Sequence, residues 1–284
     1  VFIGTVTTGA CLSVVSQTKA DNMFQITPSA SAAKVIANDN CFQVCFTDPN
    51  QGTASADYIA SKGLATKVAV IYNSSDAYSS GIYDNFKAEA AAKGLDLVAS
   101  EAFTGDSKQD FSSQLSKIKA SGAELIFLPI YYQEASLILS QAKNAGITAK
   151  FFGCDGLDGL LNIENFDKSL AENVMLLTPF AANATDETTK KFVAAYNAKY
   201  DPSTLNQFAA DAYDAVYIVK AAAEKAGVTG DMSVSDICNA LKGAMTEITV
   251  DGVTGSGMTW KATGEVNKEP KAVKIENGEY QPMD

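Results

Sequence analysis

Lys67-Val68-Ala69-Val70-Ile71-Tyr72 is almost wholly apolar, and Asn73-Ser74-Ser75-Asp76-Ala77-Tyr78 follows it directly. Beyond that turn, Ile82, Phe86 and Ala90 recur every four residues through 76–92, with Lys and Glu on the other faces. An apolar run ending in a polar turn reads as a strand buried on both sides. A four-residue apolar repeat reads as a helix that covers it. Strands buried on both sides occur in parallel sheets flanked by helices.

The same unit recurs in both directions along the chain. Apolar runs lie near 1–6, 23–27, 42–46, 96–102, 124–130, 149–153 and 173–178, and helical spacing near 9–20, 50–62, 109–119 and 131–145. Glu124-Leu125-Ile126-Phe127-Leu128-Pro129-Ile130 is a second nearly all-apolar strand, and Phe111, Leu115 and Ile118 mark a second covering helix. Repetition of strand and helix predicts an α/β fold with doubly wound parallel sheets. After residue 180 the rhythm changes to helices at 185–200, 205–227 and 233–243. Strand candidates follow at 247–250, 256–260 and 271–275, among Gly252, Gly255, Gly257 and Gly264. Turn-rich stretches at 47–52 and at Thr178-Pro179-Phe180 flank a self-contained block, which reads as a second lobe inserted into a first. The expected lobes are 1–48 with 180–265, and 49–179 with 268–284. Three hinge crossings are expected near 47–51, 177–182 and 263–270.

Composition removes several functions. The 284 residues include 22 Lys, no Arg and no His, against 33 acidic residues, for a net charge of −11. Without His there is no Ser-His-Asp or Cys-His catalytic unit and no imidazole metal ligand. Without Arg there is no bidentate clamp on a carboxylate or phosphate. The negative charge argues against nucleic acid, whose binding needs clustered cations. No Gly-x-Gly-x-x-Gly or phosphate-loop motif is present, so no cofactor is expected, and Asp155-Gly156-Leu157-Asp158-Gly159 lacks the ligand pattern of a calcium loop. No apolar run approaches the roughly 20 residues that span a bilayer. Five cysteines, Cys11, Cys41, Cys45, Cys154 and Cys238, are too scattered for a disulfide framework. Cys41 and Cys45 lie roughly 13 Å apart along a strand, and the five read as buried free thiols. Val1-Phe2-Ile3-Gly4 reads as a strand already under way, which implies an upstream segment.

Ligands of open parallel sheets bind at the carboxyl ends of the strands. Thr7-Thr8-Gly9-Ala10 follows the first strand and Pro28-Ser29-Ala30-Ser31 the second. In the second lobe the corresponding ends carry Tyr78, then Tyr131-Tyr132, then Cys154-Asp155-Gly156. The first lobe thus offers hydroxyls and backbone N–H groups at helix starts, a carboxylate receptor that needs no Arg. The second offers rings and a carboxylate able to hold an ammonium. Taken singly, Ser29 or Ser31 would serve as an N-cap, Tyr78 and Tyr131 as surface rings and Asp155 as a turn residue. Taken together they describe a site for a zwitterion with an apolar side chain.

In this order the pieces resemble the type I periplasmic-binding-protein receptors of ABC importers, in the leucine/isoleucine/valine-binding branch. The resemblance runs over essentially the whole chain. It is carried by Phe2-Ile3-Gly4 through Thr8, Ile26 to Ser31, Val68 to Tyr72 with Tyr78 and Gly81, and Asp110-Phe111. Phe152 to Gly156, Ala212-Tyr213-Asp214-Ala215 and Met258-Thr259-Trp260 complete it. It implies two hinged lobes closing on a free amino acid, no chemistry on the ligand, and delivery to a membrane permease. By the same resemblance Thr8 grips the ligand carboxylate. Ser29, Ala30 and Ser31 hold carboxylate and ammonium, Tyr131 and Tyr78 line the ligand, Asp155 takes the ammonium and Phe208 contacts the side chain. The branch usually carries Glu where this chain has Asp155. One methylene fewer implies a bridging water or a differently placed ammonium.

The family's strand–helix units ahead of this start amount to about 70 residues, so the first lobe is expected to lack its opening strands and to expose a sheet edge through which two copies pair. An extracytoplasmic place, periplasmic or lipid-anchored on a Gram-positive cell, is implied as well. Two rival functions share the fold: binding of an aromatic acid, amide or urea, and a sensory ectodomain. With no His, ligand binding is expected to vary little between about pH 6 and 8.

Overall fold

The computed structural model describes residues 1–283. The chain opens with β1 (Phe2–Ile3), α1 (Thr8–Leu12), α2 (Val15–Ala20), β2 (Gln25–Thr27) and β3 (Cys41–Gln43). It continues through α3 (Asp48–Ser61), β4 (Lys67–Asn73), α4 (Ala77–Ala92), β5 (Asp96–Phe103), α5 (Ser112–Ser121), β6 (Leu125–Leu128), α6 (Tyr132–Asn144), β7 (Lys150–Gly153) and β8 (Met175–Thr178). The remainder holds α7 (Glu187–Asn197), α8 (Gln207–Ala226), α9 (Val234–Met245), β9 (Lys271–Glu276) and β10 (Glu279–Pro282). Two compact units result. One comprises Val1–Thr47, Ala184–Lys199 and Leu205–Glu269; the other comprises Asp48–Asn183, Tyr200–Thr204 and the chain from Pro270 onward.

The second unit is built on a seven-stranded sheet of order β10-β9-β8-β7-β6-β4-β5. From β5 to β8 every pairing is parallel. Side chains of a strand alternate between faces, and both faces are filled. Val68, Val70, Leu125 and Phe127 pack with Ile59, Ile82 and Phe86 on one side. Ala69, Ile71, Ile126 and Leu128 pack with Leu115, Ile118 and Ile138 on the other. This double covering is why the strands read as continuous apolar runs. Each such Leu, Ile or Phe contributes about 1.5–3 kcal/mol by leaving water. The α3 and α4 backbones touch at Gly52, where a Cβ would lie 2.5 Å from the Ile82 carbonyl oxygen. Asp76 caps α4, its carboxylate accepting the Ser79 N–H at 3.4 Å.

One end of this otherwise parallel sheet is antiparallel. β9 runs antiparallel to β8, and β10 antiparallel to β9. The β9–β10 turn is Asn277-Gly278, both at positive φ (54° and 75°), the pairing that a tight hairpin turn requires.

The first unit carries a three-stranded parallel sheet of order β1-β2-β3. Ile26 and Phe42 face α8 and α9, packing with Ala215, Ile218 and Leu241, and Phe42 stacks on Phe24. The other face, which carries Cys41, meets Cys11, Val15, Ala30 and Val35. Trp260 donates its indole N–H to the Gln43 carbonyl at 2.8 Å. Two expected elements differ here. The helix expected over 9–20 breaks at Ser13-Val14, where Ser13 Oγ bonds the Gly9 carbonyl at 3.2 Å and competes with the helix ladder. The candidates at 247–250 and 256–260 meet only in an isolated bridge, Val250 to Met258. That glycine-rich loop is held by side chains. The Asp214 carboxylate accepts from Val253 N, Thr254 N (2.8 Å each) and Thr254 Oγ1 (2.6 Å). Lys268 Nζ donates to Thr254 Oγ1 at 2.6 Å and lies 3.7 Å from Asp211.

Candidate ligand-binding site

In the second unit the sheet order reverses between β4 and β6, since β5 returns to the outer side of β4 while β6 to β8 continue on the other. Ligands of such sheets bind at a reversal of this kind, beyond the carboxyl ends of the two central strands. Tyr78 lies beyond the end of β4 in the first turn of α4, and Tyr131 is the N-cap residue of α6 just past β6. Their rings stack with centroids 4.6 Å apart and planes at 18°. Asp155, past β7, is 1% exposed.

Tyr78 joins these strand ends. Its phenol donates to Asp155 Oδ1 at 2.6 Å and its oxygen accepts the Gly156 N–H at 2.9 Å. Burial, followed by the adjacent Asp155 charge, holds the phenol well above its usual range near 10, so it remains a donor. Gly156 is required by this closeness. A Cβ there would lie 2.6 Å from the Tyr78 hydroxyl and 2.7 Å from the Ile130 carbonyl oxygen. Gln51, from α3, accepts the Asp155 N–H on Oε1 at 3.2 Å. Gln51 was not among the residues expected from the sequence. It sits in the stretch read as a hinge turn, and only its Gln-Gly pairing at the α3–α4 contact marks it.

In the first unit Thr8 opens α1 and is fully buried. Its Oγ1 accepts the N–H groups of Ser31 (3.2 Å) and Ala32 (3.4 Å). Thr27 Oγ1 accepts the Ala30 N–H at 3.1 Å and donates to the Thr5 carbonyl at 2.6 Å. The open N–H groups expected of this loop are corrected at Ala30 and Ser31, which are bonded to threonine hydroxyls, as is the neighbouring Ala32. The α1 helix, five residues long, also supplies less dipole than a longer helix would. Hydroxyls dominate this half, and Ser31 Oγ is buried without a partner among the described residues. Ser29 is buried beside it, while Phe208 is half-buried in the first turn of α8 and makes no aromatic stacking contact among the described residues.

All five cysteines are free and buried. Hydrogen bonding with Cys41 brings the Cys11 thiol down from 9.0 to about 7, outweighing burial. This lowered thiol lies one helical turn from Thr8. No group of three or more potential metal ligands occurs among the described residues.

The model of the family described as periplasmic binding protein matches residues 1–279. The chain belongs to this family. Within it, the chain is a type I periplasmic binding protein of the branched-chain amino acid branch. A Leu/Ile/Val-binding protein homolog from Brucella melitensis is 32% identical over 232 residues, 81% of this chain and 61% of that protein. This periplasmic binding protein thus spans about three fifths of that relative's length. Its fold matches the leucine-binding protein LivK of Thermotoga maritima with a TM-score of 0.87 at 25% identity, covering 99% of this chain and 78% of that one. It matches LivJ of Streptococcus pneumoniae, a branched-chain amino acid transporter substrate-binding protein solved with isoleucine, at 0.86 and 28%, covering 98% and 77%. Among the described residues of this periplasmic binding protein, no helix is long and apolar enough to cross a membrane.

Proposed function

We propose that this chain binds a free amino acid with a branched-chain or other apolar side chain, as the extracytoplasmic substrate-binding component of an ABC importer, and hands it to a membrane permease. The observation that carries the reading is Asp155. It is a buried carboxylate that accepts the phenolic proton of Tyr78, whose ring stacks on Tyr131. A carboxylate in that setting favours a cation with an apolar body, which is the description of such an amino acid at its ammonium end. The likeness to LivJ, solved with isoleucine, supports the same class.

In this reading Asp155 takes the ammonium, with a charge-assisted hydrogen bond contributing about 1.5–3 kcal/mol. The hydroxyls of Thr8, Ser29 and Ser31 take the carboxylate, beside Ala30, and Phe208 meets the side chain. Binding shifts the conformational equilibrium only through contacts that one state makes and the other lacks. In this reading the ligand is handed on unchanged. The open edge of β1, where Val1, Ile3 and Val6 are exposed, is the surface through which two copies would pair, which sedimentation reads.

The stacked tyrosines also favour a second reading, an aromatic acid lying against the rings. A thermal-shift panel separates the two. Branched-chain amino acids should raise the melting temperature, whereas a larger shift with benzoate or with an amide would give the site to a ligand without an ammonium.

A further inference from the structure

Cys11 and Cys41 meet on one face of the three-stranded sheet. Gln25 and Cys41 are direct partners in the β2–β3 ladder, so their side chains stand next to each other on the same face. Gln25 Nε2 lies 3.3 Å from Cys11 Sγ and donates to it. Cys11, from α1, therefore sits over the Gln25–Cys41 pair. Both cysteines belong to one buried cluster with Val15, Ala30, Ala32 and Val35. The neighbouring Cys41 lowers the Cys11 thiol, while Cys11 and burial push the Cys41 thiol up. An asymmetric pair of this kind has one sulfur ready to attack and one held as a thiol. Cys238 packs on the opposite face of the sheet, and Cys154 belongs to the other unit.

We propose that Cys11 and Cys41 form a redox-active pair that closes to a disulfide in an oxidising compartment and staples α1 to β3. The oxidant is a small disulfide of the glutathione class. The Cys11 thiolate attacks one sulfur of it, forming a mixed disulfide and releasing one thiol. Cys41 then loses its proton and attacks the Cys11 sulfur, releasing the second thiol. Two electrons and two protons leave the cysteines, and the oxidant departs as two thiols. The staple holds the helix that carries Thr8, one turn before Cys11, and so holds the Ser31 and Ala32 N–H groups that Thr8 binds. Its bearing on a ligand, and the oxidising compartment itself, rest on the function proposed above.

The test uses the whole chain, equilibrated with oxidised glutathione both when folded and during refolding. Free thiols are counted after denaturation, and peptides are mapped by mass. The expected result is loss of two of the five thiols and a cross-linked peptide joining Cys11 to Cys41, with a mass lower by about 2 Da. C41S should stop at a glutathione adduct on Cys11, and C11S should form no cross-link. Five free thiols after both treatments, or a cross-link between any other two cysteines, would overturn the pair. The map needs no ligand. A chain that forms the staple but binds no amino acid would therefore overturn the function and leave the pair standing.

Discussion

Tyr78 donates its phenolic proton to Asp155 Oδ1 at 2.6 Å while its oxygen takes the Gly156 N–H at 2.9 Å. One side chain from the α4 start thereby sets both the carboxylate and the backbone that follows β7. Removing the hydroxyl leaves two buried polar groups short of a partner. Tyr78→Phe should destabilise the fold by about 1–3 kcal/mol in a denaturant titration and weaken amino-acid binding in calorimetry. Equal stability and equal affinity would show that the phenol positions nothing.

Gly156 tests the same relationship sterically. Its missing Cβ is what lets Tyr78 and Ile130 approach. Gly156→Ala must push the Tyr78 ring or the 155–156 backbone aside, at a cost of about 1–3 kcal/mol. Ligand affinity should fall further than in a variant with alanine at Gly9, whose Cβ would meet nothing within 4 Å.

Asp214 is the polar anchor of the first unit's glycine-rich loop. Asp214→Ala strips three donors of their acceptor at once and should cost about 3 kcal/mol. Trp260, the single tryptophan, lies buried in the same unit and reports that unfolding by fluorescence. A loss below about 0.5 kcal/mol would mean that the loop is held by something else.

Hydrogen bonds from Lys19 and then Lys242 lower the Asp39 carboxyl from 3.8 to about 2. A depressed carboxyl stabilises the fold above its unfolded value, and that contribution is lost as pH falls from about 4 through about 2. Asp39 is 54% exposed, so screening keeps the contribution below about 1 kcal/mol. Asp39→Asn should lie below the parent above pH 4, converge with it near pH 2, and differ from it less in high salt. A gap that persists unchanged at pH 2 would exclude this ion pair as its source.

Much of the second unit was legible because its physics is local. Val68 to Ile71 and Leu125 to Leu128 are buried on both faces, so their apolar runs name them as interior strands. The repeat Ile82, Phe86, Ala90 names the helix that covers them. Less was legible where side-chain bonds at a distance decide the backbone. The strand candidates at 247–250 and 256–260 form only a bridge, because the glycine-rich loop between them follows Asp214, some 40 positions away. Ser13 breaks a helix that the apolar spacing would have continued. The candidate site shows the same division. Strand ends bring Tyr78, Tyr131 and Asp155 together, but nothing in their order reveals that Thr8 binds the Ser31 amide, or that Cys11 lies over Cys41. Those contacts join segments that only the fold makes neighbours.

The central claim is that a buried carboxylate at position 155 receives the ammonium of an apolar amino acid. Calorimetric titration of the parent chain and Asp155→Ala with leucine, isoleucine and valine tests it most directly. One-to-one binding to the parent is predicted, weakened by about tenfold or more in the variant, the equivalent of about 1.4 kcal/mol or more. Unchanged affinity in Asp155→Ala, or tighter binding of an acid that has no ammonium, would contradict it.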